Sequence, residues 1–418
     1  MKLELGYGNK YLEFELNEND LLGILKPNVH LMEEINEEEE IRNALENPIG
    51  TKKLREIIQP GEKIVIVTSD ITRPMPTARV LPIVLEELIK NNVKYDDITV
   101  IFALGSHRGH SIEEKIKLVG KEIYDQIKCI DSDVSDYVNV GVTSNGTQVE
   151  IFTEVVEADR IICLGNIEYH YFAGYSGGAK AIMPGVSTRK AIQSNHSMMV
   201  REQAKTGEIL DNPVRLDLEE AIKFIPIDFI LNVVLSENKK VIKAVAGHYI
   251  DAHRVGCKFL DSIYKIKINQ LADIVIVSPG GSPKDMNMYQ AQKALDNAKY
   301  AVREGGIIIW VASCKEGLGE SVFEKWVNAA KTSGEMVERI KTDFELGGHK
   351  AAAIGMILSK CSVYLVSDLE DQLVKKVFVE PFQDIESALL DAYMKMPPNP
   401  KIFVMPYGGS TLPSLQIE

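Results

Sequence analysis

The chain has 418 residues, more than a single hydrophobic core usually organises, so we expect two domains. Hydrophobic residues make up 45% and charged residues 26%, and the formal net charge of -13 argues against nucleic acid or an anionic membrane as a partner. The five cysteines include no CxxC pair, and the sequence has no apolar run that resembles a signal peptide or a membrane span. We therefore expect reduced thiols and a cytoplasmic protein.

In chain order, two short strands at the N-terminus predict an antiparallel hairpin, and a different pattern follows Pro60-Gly61. Short β-branched runs then alternate with amphipathic stretches, in the order KIVIVT (63–68), ARVLPIVLEELIKN (78–91), ITVIFAL (98–104), SIEEKIKLVGKEIYD (111–125) and RIICLGNI (160–167). This alternation predicts an α/β fold with mainly parallel sheets. The same pattern begins again at ADIVIVSPGG (272–281), which predicts an N-terminal α/β domain over 1–268 and a C-terminal α/β domain over 269–418.

Polar side chains follow the predicted parallel strands at the point where each strand ends. Asp70, Thr72 and Arg73 come after the first strand, His107 after the second, and His170 after the third. Open α/β sheets bind ligands at the carboxyl ends of their strands, so this placement predicts a binding site. Simpler interpretations stay open, because Asp70 and Thr72 are also good helix caps and a histidine in a loop often serves only as a hydrogen-bonding group.

A glycine-rich loop follows His170, and its density of glycine predicts a close backbone approach or several positive φ angles. Gly177 and Gly178 belong to neither a Walker A motif nor a dinucleotide-binding fingerprint. Lys180 stands in an apolar setting, AKAIMPG, where desolvation would lower the pKa of its amine and make it a nucleophile. The alternative is a lysine that extends along the surface.

Two further helices carry candidate residues. Ser187 is suited to cap a helix over 187–199, which would place His196 inside that helix as a metal ligand, although a single helical histidine is usually not one. A fourth strand-end cluster, 282–285, leads into a helix that is predicted to begin at Pro283. The spacing of Tyr289, Gln290 and Lys293 puts them on one face of that helix, which is also what an ordinary surface helix shows.

Taken together, four segments resemble the nickel-pincer-nucleotide lactate racemase family. They are SDITRPMP (69–76), GSHR (105–108), GNIEYHYFAGYSGGAKAIMPGVSTRKAIQSNH (165–196) and PKDMNMYQAQKA (283–294). The resemblance spans most of the chain, and the combination is far more specific than any single segment.

The resemblance implies a nickel cofactor, pyridinium-3,5-bisthiocarboxylic acid mononucleotide, attached covalently through Lys180 and made by separate cofactor-synthesis proteins. It implies that His196 is the protein ligand to nickel, in keeping with imidazole as a nickel donor. The remaining implied roles are catalysis by His107, His170, Asp70 and Arg73, cofactor binding by Asp70, Thr72, Arg73, Gly177 and Gly178, and substrate binding by Arg73, Tyr289, Gln290 and Lys293.

The implied activity is that of an isomerase acting on a 2-hydroxyacid, with lactate as substrate. Hydride would pass from the substrate carbon to the cofactor while a histidine takes the hydroxyl proton, which gives a transient 2-keto acid that is reduced again from the opposite face. His107 and His170 would be the two acid/base groups, since imidazole titrates near neutrality. We expect this site in the cleft between the two domains.

Three alternatives stay open at this point. The same machinery would also suit a malate-like, aryl or sugar acid. A nicotinamide-dependent dehydrogenase is disfavoured by the missing fingerprint. A non-enzymatic protein that stores or matures the cofactor would use Lys180 and His196 without the histidine pair.

Overall fold

The computed structural model describes residues 1–29 and 35–416. The strands, in chain order, are β1 (Lys2–Tyr7), β2 (Lys10–Glu15), β3 (Leu21–Ile24), β4 (Ile64–Ser69), β5 (Ile98–Ala103), β6 (Lys128–Asp131), β7 (Tyr137–Val142), β8 (Gln148–Phe152), β9 (Arg160–Asn166), β10 (Tyr169–His170), β11 (Gly174–Tyr175), β12 (Phe229–Leu235), β13 (Val241–Gly247), β14 (Lys265–Ile268), β15 (Ala272–Val277), β16 (Val302–Val311), β17 (Ser362–Val366), β18 (Glu380–Phe382), β19 (Ile402–Met405) and β20 (Leu412–Leu415).

The helices, in chain order, are α1 (Glu37–Glu46), α2 (Leu54–Ile57), α3 (Thr77–Lys90), α4 (Ile112–Val119), α5 (Lys121–Gln126), α6 (Thr153–Val156), α7 (Arg189–His196), α8 (Pro213–Ala221), α9 (Asp251–Tyr264), α10 (Met288–Ala298), α11 (Ser321–Ala329), α12 (Ser333–Thr342), α13 (Gly348–Leu358), α14 (Asp371–Lys376) and α15 (Ile385–Lys395).

The chain divides into two compact units, and the division differs from the predicted one at the N-terminus. The central unit is His30–Asp261, and the terminal unit combines Met1–Val29 with Ser262–Glu418. The predicted boundary at 268 lies close to Ser262, but the first 29 residues fold with the C-terminal part of the chain. The physical reason is strand pairing, because β3 forms the parallel edge strand beside β19.

The central unit is built on a six-stranded sheet in the order β13-β12-β9-β4-β5-β6, in which only the β12–β13 pair is antiparallel. Strand β4 is buried from Ile64 to Thr68, which explains its continuous apolar run, since strands of a parallel sheet are covered on both faces. Helices α1 and α3 add Leu45, Val80 and Val84 to the core on one side of the sheet. The prediction of an α/β domain with mainly parallel strands is confirmed here.

The terminal unit contains a second six-stranded sheet, in the order β18-β17-β16-β15-β19-β3, and all of its pairs are parallel. The predicted N-terminal hairpin forms as β1 and β2, and its Leu5 and Phe14 pack into the same core as Ile276 and Leu389. The second unit is therefore also an α/β domain with parallel strands, as predicted.

Helix α7 begins at Arg189 and ends at His196, so the prediction of a helix over 187–199 is wrong at both ends. Thr188 is the N-cap, and its Oγ1 accepts a hydrogen bond from the Ala191 amide at 3.2 Å. Ser187 cannot take that role, because its hydroxyl donates to the Pro184 carbonyl at 3.1 Å. His196 consequently lies in the last turn of the helix instead of in its interior.

Helix α10 begins at Met288, five residues after the predicted start at Pro283. The Asn287 side chain caps it by accepting from the Gln290 amide at 2.9 Å. The intervening Asp285 is fully buried, and its Oδ2 accepts from the amides of Gly8 and Ser313 at 2.7 and 3.1 Å. Asp285 therefore joins three loops of the terminal unit, and the chain turns into the helix only after it.

Within residues 1–29 and 35–416, no helix combines the length and the apolar character needed to cross a bilayer. All five cysteines lie in this part of the chain and are free thiols.

Candidate active site

Three neighbouring strands bring the predicted site residues of the central unit to one edge of its sheet. Strands β9, β4 and β5 are adjacent and parallel, so their carboxyl ends meet at the same edge. Asp70 follows β4, His107 follows β5, and His170 ends the short strand after β9. The glycine-rich loop reaches this edge as well, because the amide of Gly105 donates to the carbonyl of Gly185 at 2.9 Å.

Asp70 and His107 form a hydrogen-bonded pair at this edge. His107 Nδ1 lies 3.1 Å from Asp70 Oδ2, and the Thr72 amide donates to Asp70 Oδ1 at 2.7 Å. Burial by itself would raise the pKa of the Asp70 carboxyl, but the hydrogen bonds from His107 and Thr72 outweigh it and lower the pKa to about 2. An ionised carboxylate can only accept, so His107 Nδ1 carries the proton and Nε2 is the nitrogen left for acid/base work.

The geometry also decides between the two interpretations of Asp70. The Asp70 carboxylate accepts a hydrogen bond from the amide of Thr72, two residues later. Helix α3 begins after Pro76, and no side chain caps it. Asp70 is therefore not the cap of α3. The hydroxyl of Thr72 lies 3.3 Å from His107 Nδ1, and the side chain of Arg73 is exposed at the same edge.

His170 occupies the opposite kind of electrostatic environment. Burial, followed by the electrostatic influence of the neighbouring basic groups Lys180, His196 and Arg73, lowers the pKa of its imidazole well below the usual value. The ring stacks on Tyr171, with a centroid separation of 5.6 Å and an interplanar angle of 8°. It is therefore neutral at pH 7, while His107 stands beside a carboxylate.

Lys180 lies in a 3-10 turn, Gly178–Ala181, and its side chain is half-buried. Burial lowers the pKa of its amine well below that of an ordinary lysine, and the charges of Arg215 and Arg73 lower it further. An unprotonated amine is a nucleophile, which agrees with the expectation from the apolar sequence around it. The alternative of a surface lysine with an ordinary ammonium group is not supported.

His196 is buried at the end of α7, next to the aromatic ring of Phe172. The two ring centroids are 4.8 Å apart, and Phe172 also makes an edge contact with His170 at 4.5 Å. Asn195 Oδ1 lies 2.9 Å from His196 Nδ1. Phe172 thus contacts both His170 and His196, and the loop that follows it carries Lys180. Among the described residues, no three His, Cys, Asp or Glu side chains converge on a metal-sized site.

Gly177 and Gly178 are required by packing within the protein. Their φ angles are +75° and +58°, and a Cβ on them would lie 2.7 Å from Asn232 Oδ1 and 3.0 Å from His253 Cγ respectively. The amide of Gly178 donates to Asn232 Oδ1 at 2.8 Å. The close backbone approach expected from the glycines is therefore made to Asn232 and His253 at these two positions. The role of Gly177 and Gly178 in cofactor binding stays a prediction.

Arg215 is a buried residue beside the glycine-rich loop that no pattern in the sequence indicated. Its guanidinium, which is 0% exposed, donates to the carbonyls of Ala173 and Gly177 at 3.3 Å each and to that of Tyr175. These alternate carbonyls form the segment between His170 and Lys180. The only hint of Arg215 in the sequence is its spacing from Glu219, four residues later. That spacing is also typical of an ordinary ion pair on the surface of a helix.

The predicted substrate-binding residues lie on α10 of the terminal unit. Gln290 and Lys293 are exposed, while Tyr289 is half-buried beside the ring of Phe323. The ammonium of Lys350 stands 3.9 Å from the centroid of the Tyr289 ring and donates to the Tyr289 carbonyl at 2.5 Å. Lys350 is thus a cation beside Tyr289 that the sequence pattern did not indicate. The substrate-binding role of helix α10 stays a prediction.

Models of two protein families match the chain along most of its length. The lactate racemase N-terminal domain matches residues 7–207, and the lactate racemase C-terminal domain matches residues 267–412.

Similar curated proteins and structures agree with these matches. The lactate racemase of Thermoanaerobacterium thermosaccharolyticum is 35% identical, with 98% of each chain covered, and that of Lactiplantibacillus plantarum is 32% identical, with 97% of this chain and 98% of the other covered. The structure of the lactate racemase apoprotein from T. thermosaccharolyticum matches with a TM-score of 0.89 and 34% identity, covering 99% of this chain and all of the other. A Thermotoga maritima protein, at 19% identity and a TM-score of 0.63 over 91% of this chain and 98% of its own, shares the fold.

Proposed function

The chain belongs to the lactate racemase family, and on that premise we propose that it is an isomerase that interconverts the enantiomers of lactate. The observation that supports this activity best is the contrast between its two strand-end histidines. A racemase that works through a 2-keto acid needs one group that takes a proton and another that gives one. His170 is neutral beside other basic side chains, and His107 is hydrogen-bonded to the ionised Asp70.

The proton roles follow from this contrast. His170 takes the hydroxyl proton of one enantiomer, and His107, whose Nδ1–H donates to Asp70, returns a proton to the keto oxygen on the other face. For the opposite enantiomer the two roles are exchanged. The Ala173 amide donates to His170 Nδ1 at 3.2 Å, so the neutral ring carries its proton on Nε2. Before Nε2 can take a proton from the substrate, the ring proton must move to Nδ1, and the hydrogen bond from Ala173 is lost.

The substrate C–H bond is scarcely acidic, so its hydrogen must leave with the electron pair. The nickel-pincer nucleotide, when bound, would supply the acceptor for that hydride. The residues present fit this cofactor in their chemistry, because Lys180 offers an unprotonated amine for a covalent link and His196 offers a buried imidazole for nickel. Arg73 is an exposed cation suited to hold the substrate carboxylate, so that the keto acid turns without leaving. The expected substrate-binding role of Lys293, which is exposed on helix α10, stays a prediction.

The activity is tested with protein that is co-produced with the cofactor-synthesis proteins. A single enantiomer of lactate should lose its optical rotation, and the intact mass should show an adduct on Lys180 with one nickel per chain. His107→Ala and His170→Ala variants should keep the adduct and lose turnover, which separates catalysis from cofactor storage. Protein that carries the adduct but racemises neither lactate nor a malate-like, aryl or sugar acid would contradict the proposal, and release of NADH would indicate a dehydrogenase.

A further inference from the structure

A line of buried polar side chains leads from His196 into the core of the central unit. His196 Nδ1 lies 2.9 Å from Asn195 Oδ1 on helix α7, and the Asn195 amide nitrogen lies 2.9 Å from Asp217 Oδ2 on helix α8. The same nitrogen lies 3.1 Å from the carbonyl oxygen of Val214. The hydroxyl of Thr143 donates to the other oxygen of Asp217 at 2.5 Å. Asn195 is 0% exposed and Asp217 1%, so solvent does not compete for these bonds.

The direction of each hydrogen bond follows from the chemistry of its partner. The carbonyl of Val214 can only accept, so the group of Asn195 that faces it is the NH2 group, which has a second hydrogen for Asp217. The amide oxygen of Asn195 must then face His196, and an amide oxygen cannot donate. His196 Nδ1 therefore carries the ring proton. In the neutral ring, Nε2 is then the nitrogen with the lone pair.

We propose that Asn195, held in place by Val214 and Asp217, is a positioning residue that sets the tautomer of His196 and so directs Nε2 toward nickel. This inference rests on the proposed function in one respect, namely that His196 is the nickel ligand. Ligating histidines commonly donate their second nitrogen to a fixed acceptor, which orients the ring and makes it a better donor. Here that acceptor is the neighbouring residue on the same helix, and α8 determines which way it is turned.

A purely structural role for Asn195 makes a different prediction. A buried amide with both of its ends satisfied stabilises the contact between α7 and α8 whether or not it affects the imidazole. In that case, replacing Asn195 would lower the free energy of unfolding and leave the tautomer of His196 unchanged. The state of the ring nitrogens therefore separates the two roles, and it can be measured before any cofactor is bound.

The experiment uses the full chain labelled with 15N-histidine, without cofactor, and long-range 1H–15N correlation spectra that distinguish the two tautomers. The His196 signals are assigned from their loss in a His196→Gln variant. Wild-type protein should show the Nδ1–H tautomer. Asn195→Leu keeps the size of the side chain but has no acceptor, so the population should shift toward Nε2–H, the form that a free imidazole prefers.

Two matched variants serve as controls. Ser194 lies on the same helix as Asn195, and its hydroxyl is 3.2 Å from that of Thr147. Ser194→Ala removes this contact, keeps Asn195, and should leave the tautomer of His196 unchanged. Asp217→Asn keeps an oxygen that can accept from Asn195 and should also retain Nδ1–H. An Nε2–H tautomer in the wild type, or an unshifted tautomer in Asn195→Leu, would overturn the proposal. If the leucine variant does not fold, Asn195→Ala and the wild-type spectrum decide.

A second readout connects the tautomer to the metal. Loaded wild-type protein and loaded Asn195→Leu are exposed to EDTA, and the nickel that stays with each is measured by elemental analysis. We expect the variant to lose nickel about 10- to 100-fold faster, the range typical of partners behind a ligand. Equal rates would overturn the link to nickel. Wild-type protein that never acquires nickel would contradict the proposed function, while the tautomer result would still report on Asn195.

Discussion

Asp70 fixes the tautomer of His107, because its carboxylate accepts the proton on Nδ1 of the ring. It is ionised, buried and 3.1 Å from Nδ1 of the ring. Asp70→Asn keeps the size of the side chain but replaces the carboxylate that accepts the Nδ1–H of His107 with a neutral amide. We expect kcat for racemisation to fall by roughly 10²- to 10⁴-fold in both directions, with a smaller change in KM. Thr72→Val removes the hydroxyl 3.3 Å from His107 Nδ1 but leaves the carboxylate of Asp70 in place, so it should lower kcat less. Wild-type kcat in Asp70→Asn would contradict this role.

The same carboxylate makes a prediction for stability against pH. Its pKa is about 2 in the folded protein against an ordinary value of 3.8, so the ionised form is favoured by folding. The stabilisation is complete above the ordinary pKa and is lost as the pH falls from about 4 through 2. The shift corresponds to about 2 kcal/mol. Urea midpoints measured across this range should fall less steeply for Asp70→Asn than for the wild type, and parallel curves would contradict a lowered pKa of Asp70.

The amine of Lys180 should react as an unprotonated nucleophile near neutral pH, because burial and two arginines disfavour its charged form. In protein without cofactor, brief labelling with an acylating reagent followed by peptide mass spectrometry should show a labelling midpoint for Lys180 well below that of an ordinary lysine. Lys190, exposed on the neighbouring helix, is the internal control. A midpoint for Lys180 equal to that of Lys190 would rule out an unprotonated amine.

At the scale of single residues, the sequence predicted side chains whose position follows from strand ends. Asp70, His107 and His170 lie directly after apolar runs, and parallel strands necessarily bring their carboxyl ends together. Arg215 and Asn195 could not be found in this way. Their partners are backbone carbonyls and a carboxylate that only the folded chain brings near, so in the sequence they resemble an ordinary helix surface.

The glycine-rich loop is the element that presents His170 and Lys180, and Arg215 holds it by three carbonyls. Each carbonyl left unsatisfied in a buried site costs about 1–3 kcal/mol. Arg215→Met should therefore lower the free energy of unfolding by roughly 3 kcal/mol or more and increase hydrogen exchange in residues 173–178. The control is Arg254→Met, because Arg254 pairs with Glu219 at 2.8 and 2.7 Å and donates to none of the three carbonyls. Equal exchange of the loop in both variants would contradict a specific role for Arg215.

The ends of helices α7 and α10 show how far cap rules extend. Ser187 and Thr188 are adjacent and chemically equivalent as caps, and the choice between them is made by the Pro184 carbonyl, which takes the Ser187 hydroxyl. At α10, Pro283 is well suited to the first turn of a helix. Asp285, however, accepts hydrogen bonds from the amides of Gly8 and Ser313, and the helix begins only after it. Where two local signals compete, tertiary hydrogen bonds decide, and the sequence pattern does not contain them. Helix α4, by contrast, begins at Ile112 directly after a capping box formed by Ser111 and Glu114.

At the scale of the whole molecule, the assignment of residues 1–29 to the terminal unit was beyond the sequence pattern. The residue pattern of a strand predicts that the strand forms, but it does not predict which other strand it pairs with. Strand β3 pairs with β19, nearly the whole chain away, and the hydroxyl of Tyr7 donates to Asp368 Oδ1 at 2.6 Å. The alternation of strands and helices nevertheless predicted both α/β domains, because it reflects burial of each sheet on two faces.

The terminal unit should therefore respond to changes in the N-terminal hairpin, although the hairpin precedes the central unit in the chain. Leu5 is 0% exposed in the core of the terminal sheet, so Leu5→Ala should cost about 2–5 kcal/mol. Tyr11→Ala, at a side chain that is 64% exposed on the same hairpin, should cost little. Native-state hydrogen exchange of Leu5→Ala should rise in peptides from β15, β16 and β19. A rise in β4 and β5 instead would mean that the hairpin supports the central unit, because local stability follows the packing of an element rather than its position in the sequence.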